Sequence, residues 1–153
     1  MAALTAQRNL TQQGNVFPGR EHRVLVKANA KIFIGAIVCT DATGYGVPAA
    51  TATGLVVLGV AKQQGGKFTV YDNTGGASGA IEATVERGTF GFNNSAAADT
   101  IGQANMNAQC FLVDDNTVAL TNGTGTRSPA GIIRYLDLAT GLVFVELTPA
   151  AAL

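Results

Sequence analysis

The sequence predicts an all-β fold, a compact β-barrel or sandwich with one short helix and an extended N-terminal arm. Short apolar, β-branched runs recur about every 8–12 residues, which is typical of all-β architectures. The chain has 19 glycines, many of them in the turns between these runs. Its length of 153 residues fits a single domain with one sizeable core.

Residues 1–21 are predicted to form the arm, and residues 22–153 the β-rich body. The first segment is polar, lacks periodicity and is interrupted by Gly14, Pro18 and Gly19. Between residues 8 and 31 only Glu21 opposes five cations. These cations are Arg8, Arg20, Arg23, Lys27 and Lys31. Such a local excess of positive charge indicates either contact with acidic groups of a partner or a solvated face.

The first half of the body is predicted to hold a series of short strands. The segment 80–87 shows the clearest period of two, with Ile81, Ala83 and Val85 on one face and polar residues on the other. The other predicted strands lie among Gly-rich turns, and the first of them also alternates, with Val24 and Val26 on one face. They are 22–27, 32–40, 45–48, 55–62 and 67–71.

The second half is predicted to begin with 89–92, which continues the preceding strand past Gly88 through a bulge. The window 99–109 is the helical candidate, limited to about a turn and a half by its modest propensity. Two hairpins complete the chain. One joins 110–114 to 117–120 around Asp115-Asn116, and the other joins 131–137 to 142–147.

Composition excludes several classes of protein. Charged residues make up 13% of the chain and the net charge is zero, so binding to nucleic acid through bulk charge is not expected. Such a weakly charged chain suits a surface that copies of itself or partners cover. Cys39 and Cys110 lie in apolar runs and are predicted to be buried thiols. No signal peptide or membrane span is predicted, so synthesis is expected in the cytoplasm.

A search for catalytic chemistry predicts a protein that is not an enzyme and that binds no cofactor or metal. His22 is the only histidine, and no serine lies in a GxSxG motif. Asp114 and Asp115 favour a turn rather than a carboxylate pair. The Gly-rich segment 121–127 lacks the strand–GxxxxGK[ST]–helix context of a phosphate-binding loop.

An ordered series of segments resembles the small proteins encoded beside the major capsid protein in many tailed bacteriophages. The segments are MAALTAQRN at 1–9, AKIFIGAIV at 30–38, GYGVPA at 44–49, TGLVVLGVA at 53–61, ERGTF at 86–90, FLVDDNTVA at 111–119 and TRSPAGI at 126–132. The resemblance extends from residue 1 to about residue 147. It rests on the order of the segments, because no single one is specific.

The resemblance implies a capsid decoration, or cement, protein with a β-tulip-like body. Such a protein binds the outer surface of the expanded capsid in the virion and stabilises the head. Its partners are the major capsid protein and copies of itself, most simply as a homotrimer and alternatively as a dimer. The arm is then expected to contact the capsid through Leu4, Arg8, Leu10, Val16, Phe17, Arg20 and Arg23.

Two other classes of function remain open on the sequence. One is a tail or head-completion adaptor, and the other is a β-barrel module of the virion that binds a ligand. A small enzyme such as a cell-wall hydrolase is disfavoured by the scarcity of histidine. The number of copies per particle distinguishes a cement protein from an adaptor.

Overall fold

The computed structural model describes residues 3–7, 21–64 and 68–149, and it confirms the all-β class. Twelve strands and two single-turn 3-10 helices make up the regular structure of these residues. The strands are β1 (Glu21–Leu25), β2 (Lys31–Phe33), β3 (Ile37–Thr40), β4 (Gly46–Pro48), β5 (Val56–Lys62), β6 (Val70–Asp72), β7 (Glu82–Glu86), β8 (Thr89–Asn94), β9 (Gln109–Leu112), β10 (Thr117–Ala119), β11 (Pro129–Leu136) and β12 (Val143–Leu147).

The strands form two main sheets and one small pair. One sheet has the order β1-β7-β5-β3-β4, with antiparallel neighbours throughout. A bridge between Val26 and Gly46 brings its two ends together. The second sheet is a closed barrel with the order β10-β8-β12-β11-β9. Strands β2 and β6 pair separately.

Two apolar cores lie on opposite faces of strands β3 and β5. Ile37 and Val57 face the core of the closed barrel, whereas Val38 and Ala61 face the second core. Apart from Val56 at the start of β5, the residues of the shared strands are buried or half-buried, which explains why their sequences read as continuous apolar runs. Phe90 and Phe92 are the largest fully buried side chains, and both lie in the core of the closed barrel.

The predicted strand 32–40 is wrong in one respect, because it divides into β2 and β3 at Gly35. Gly35 has a φ of 92° and lies in a tight turn in which the Ala36 amide donates to the Phe33 carbonyl at 3.0 Å. This conformation favours glycine. The two halves therefore join different sheets.

The bulge predicted at Gly88 is also wrong, because the chain changes sheets there. Strand β7 lies in the five-stranded sheet, whereas β8 pairs with β12 and β10 in the closed barrel. The Gly88 carbonyl accepts the Leu147 amide at 3.1 Å, so the crossing is held by β12.

The helix predicted over 99–109 does not form. Single 3-10 turns at Ala97–Asp99 and Gln103–Asn105 flank the buried residue Ile101. The Asn94 side chain bonds both the amide and the carbonyl of Ile101, at 2.9 and 2.8 Å. These main-chain groups of Ile101 therefore bond a side chain, and these bonds compete with the hydrogen bonds that a helix would need.

Candidate interaction surfaces

The structure describes two of the seven residues predicted to contact the capsid. Leu4 is half-buried and packs against the second core, and its amide donates to Asp115 at 2.8 Å. Arg23 lies on β1, far along the chain from this contact. The other five residues lie outside the described part of the chain. They are Arg8, Leu10, Val16, Phe17 and Arg20.

Arg23 forms an ion pair with Glu82 of the neighbouring strand β7, at 3.3 Å. Both side chains are at least half exposed. Such a pair contributes about 0–1 kcal/mol to stability. The predicted contact with a partner therefore has to compete with a weak bond inside the same chain.

A surface groove of about 440 Å³ lies beside β1. Leu25, Tyr45 and Leu58 supply its apolar surface, and Thr40 and the half-buried His22 supply polar groups. Leu25 is 45% exposed. Val56 is also exposed and pairs with Thr40 across the β3–β5 ladder. We call Leu25, Tyr45, Val56 and Leu58 the groove patch.

A second apolar surface lies on the hairpin between β11 and β12. Leu138 is 80% exposed in its turn, and Tyr135 is 45% exposed. The Tyr135 ring packs against Phe144, with ring centroids 5.6 Å apart. We call Tyr135 and Leu138 the hairpin knob. The large apolar side chains exposed in the described part of the chain all belong to these two surfaces.

Aspartates cap the turns rather than forming a cluster. The Thr74 hydroxyl and amide, together with Lys31, lower the pKa of Asp72 to about 2. Lys27 and Thr43 lower the pKa of Asp41, and Thr121 and Arg127 lower that of Asp99. Within residues 3–7, 21–64 and 68–149, no group of three His, Cys, Asp or Glu side chains is placed to hold a metal.

The interior contains two thiols that burial makes unreactive. Cys39 and Cys110 are free, buried and far apart in sequence, as predicted. Burial raises the pKa of each to about 12. Because the thiolate is the reactive species, at pH 8 about one thiol in 10,000 is ionised.

The native protein is therefore expected to react with a thiol reagent only when the folded structure opens transiently and exposes the thiols. At pH 8, Ellman's reagent should release no chromophore in an hour from the folded chain and two equivalents in 6 M urea. Thr5→Cys, at an exposed position, supplies the matched control and should react within minutes. A full equivalent released from the unmodified native protein would contradict this prediction.

Three functional candidates were not predicted from the sequence. Asp115 was predicted to be a turn residue, and yet it is 3% exposed and receives the Leu4 amide. The groove patch is assembled from strands distant in sequence, so no local pattern reveals it. Leu138 follows Asp137 in a turn, where a single apolar residue gives no periodic signal.

Comparison with known proteins adds no relative. The chain matches no protein-family model, no curated protein and no solved structure. Among the described residues, no helix is long and apolar enough to cross a membrane.

Proposed function

We propose that the chain is a non-enzymatic structural protein of a tailed-phage virion, a decoration protein that binds the outside of the expanded capsid and stabilises it. The observation that carries the proposal is the confinement, among the described residues, of exposed large apolar side chains to the groove patch and the hairpin knob, on a body with two packed cores. The series of segments that resembles capsid-neighbouring phage proteins supports it.

Two apolar surfaces suit a protein that bridges neighbouring subunits. When a partner covers either surface, each Å² of apolar area removed from water stabilises the complex by about 25 cal/mol. A protein that binds only the expanded shell stabilises that shell by mass action. Contacts made by several copies at once raise avidity, which favours a homotrimer on the shell, with a dimer as the alternative.

The proposal is tested by adding the purified protein to expanded, undecorated heads built from the major capsid protein of the same phage. We expect co-sedimentation that saturates at hundreds of copies per head and a higher temperature of head disruption. Saturation at roughly six or twelve copies would instead indicate an adaptor with the symmetry of a portal or tail. No binding to the heads would overturn the proposal.

The hairpin knob is expected to be a binding anchor. Leu138→Asp should weaken binding to heads at least about 30-fold, since burying an unpaired charge in place of an apolar anchor costs about 2 kcal/mol or more. Ala139→Asp places the same charge on the next exposed residue and should change binding less than about 3-fold. Equal losses for both variants would assign the effect to charge rather than to the leucine.

A further inference from the structure

In the N-terminal tip, residues 3–7, Leu4 contacts the body. The Leu4 amide donates to the Asp115 carboxylate at 2.8 Å, and the Leu4 side chain packs against the second core. The other four residues of the tip are exposed. Detaching the described part of the tip breaks this hydrogen bond and the packing of the Leu4 side chain.

The receiving site is a preformed part of the body, and we call it the tip socket. It centres on Asp115, in the loop between β9 and β10. The Asp115 carbonyl accepts the Ile37 amide of β3 at 2.8 Å, and Asp114 pairs with Ala50. The loop is thus fixed where the closed barrel meets the five-stranded sheet. A carboxylate buried in this way requires donors, and the tip supplies one.

We propose that the tip socket is an interaction surface for a second copy of this chain, which inserts its own N-terminal tip there. Residues 8–20 connect the tip to β1, and a fully extended segment of that length spans about 45 Å. A folded chain of this size has a radius of gyration of about 15 Å. The connection is therefore long enough for the tip to reach the socket of an adjacent copy.

Exchange between copies replaces each contact by an identical one, which is the general reason why swapping an element is a low-cost route to association. The balance between a tip in its own socket and a tip in the socket of another copy then depends on protein concentration. A connection of 13 residues gives the tip an effective concentration of the order of 1 mM at its own socket. Dilute chains keep their tips, whereas chains packed side by side exchange them.

The inference goes beyond the proposed function, because exchange requires crowding but no capsid protein. It also constrains the arm, since a tip held in a socket cannot contact the capsid through Leu4 at the same time. A failure of exchange leaves the head-binding experiment unaffected, and a failure of head binding leaves exchange measurable in solution. The two proposals therefore fail separately.

The test uses two chains with one engineered cysteine each, Thr5→Cys in the tip and Asp114→Cys beside the socket. The native thiols are buried, so a short bismaleimide joins only the introduced cysteines. When the two chains are mixed, a product with both cysteines linked reports a tip in the socket of another copy. Ala139→Cys, in the exposed hairpin turn, replaces Asp114→Cys to measure random encounters.

We expect the mixed dimer to rise with concentration and, near about 1 mM, to exceed the Ala139→Cys control at least 10-fold. Adding Leu4→Ala to the tip chain should reduce that excess at least 5-fold, since it removes the anchoring side chain. Circular dichroism confirms that each variant folds.

A chain carrying both Thr5→Cys and Asp114→Cys tests the docking within one copy. It should cross-link internally at micromolar concentration and give dimers when crowded. Internal cross-linking without mixed dimers above the control at about 1 mM would overturn the proposal, because the tip would then serve only its own socket. Absence of both products would overturn it as well, because the socket would not hold the tip.

Discussion

Gly131→Ala is expected to lower the free energy of unfolding by about 3 kcal/mol or more. Gly131 lies on β11, where a β-carbon would be 2.0 Å from the carbonyl oxygen of Glu146 and 3.1 Å from the α-carbon of Leu147. Both obstacles are backbone atoms of β12, and the two strands are paired along their length. Relief of this clash therefore requires β11 and β12 to separate, because rotating a side chain does not move these backbone atoms.

Urea unfolding of the variant beside Gly141→Ala gives a matched comparison. Gly141 has a φ of +75°, and apart from its chain neighbours no heavy atom lies within 4 Å of the position that an added methyl group would occupy. Alanine there costs only the backbone strain of about 1 kcal/mol. Since domains have only about 5–15 kcal/mol of stability, Gly131→Ala should remove a large share of it and lower the urea midpoint well below that of Gly141→Ala. Equal midpoints for the two variants would contradict the close approach of β11 and β12.

The same arrangement recurs in the five-stranded sheet. A β-carbon on Gly59 of β5 would lie 2.3 Å from the Glu86 carbonyl oxygen of β7. The register of β5 against β3 shifts at this point. The shift offsets the alternation by one residue, so that Val57 and Val60 face the same core although they are an odd number of residues apart. Gly59→Ala is therefore expected to behave like Gly131→Ala.

Local sequence patterns predicted most strands because each strand buries one or both faces. The period of two around Val85 placed β7, and the apolar run before Lys62 placed β5. Turns could be predicted equally well, since Asp41 and Gly44, between β3 and β4, are residue types that a tight turn requires. Those signals act over a few residues, which is the range that a single sequence reports.

What the sequence could not reveal depends on contacts between distant segments. Gly88 marked an interruption, but which sheet the following strand would join depends on tertiary packing. Gly35 lies inside an apolar run, and the sequence alone did not mark the division between β2 and β3. Asp115 read as a turn residue because its contacts, to Ile37 and Leu4, come from elsewhere in the chain. For the same reason, the helical propensity near Ile101 was overridden by the side chain of Asn94.

Asn73→Asp is expected to lower the free energy of unfolding by about 3 kcal/mol or more at pH 7. Asn73 is 3% exposed, and its amide nitrogen donates to the carbonyls of Lys27 and Ala77, both at 2.9 Å, and to that of Val26 at 3.2 Å. A carboxylate of the same size presents an oxygen where these carbonyls need a donor. The substitution thus introduces a buried charge against three oxygens without creating a cavity.

The pH dependence of this variant should oppose that of the parent. In the parent, the pKa of Asp72 is lowered to about 2, and those of Asp41, Asp99 and Asp137 are lowered as well. Their stabilisation is present above the unfolded pKa of about 4 and is lost as the pH falls towards 2. The carboxyl introduced by Asn73→Asp has a raised pKa in the folded state, because its neutral form can donate a hydrogen bond.

The penalty of Asn73→Asp should therefore be smallest below the unfolded pKa of about 4 and grow as the pH rises through that value towards the folded pKa of the introduced group. Urea unfolding at intervals from pH 3 to pH 8 measures the difference from the parent. Asn122→Asp is the control, since Asn122 is exposed and its side-chain oxygen accepts the Gly125 amide, a role that a carboxylate retains. A penalty that stays constant with pH would show that the side chain at position 73 is hydrated, and that the three neighbouring carbonyls do not depend on its amide.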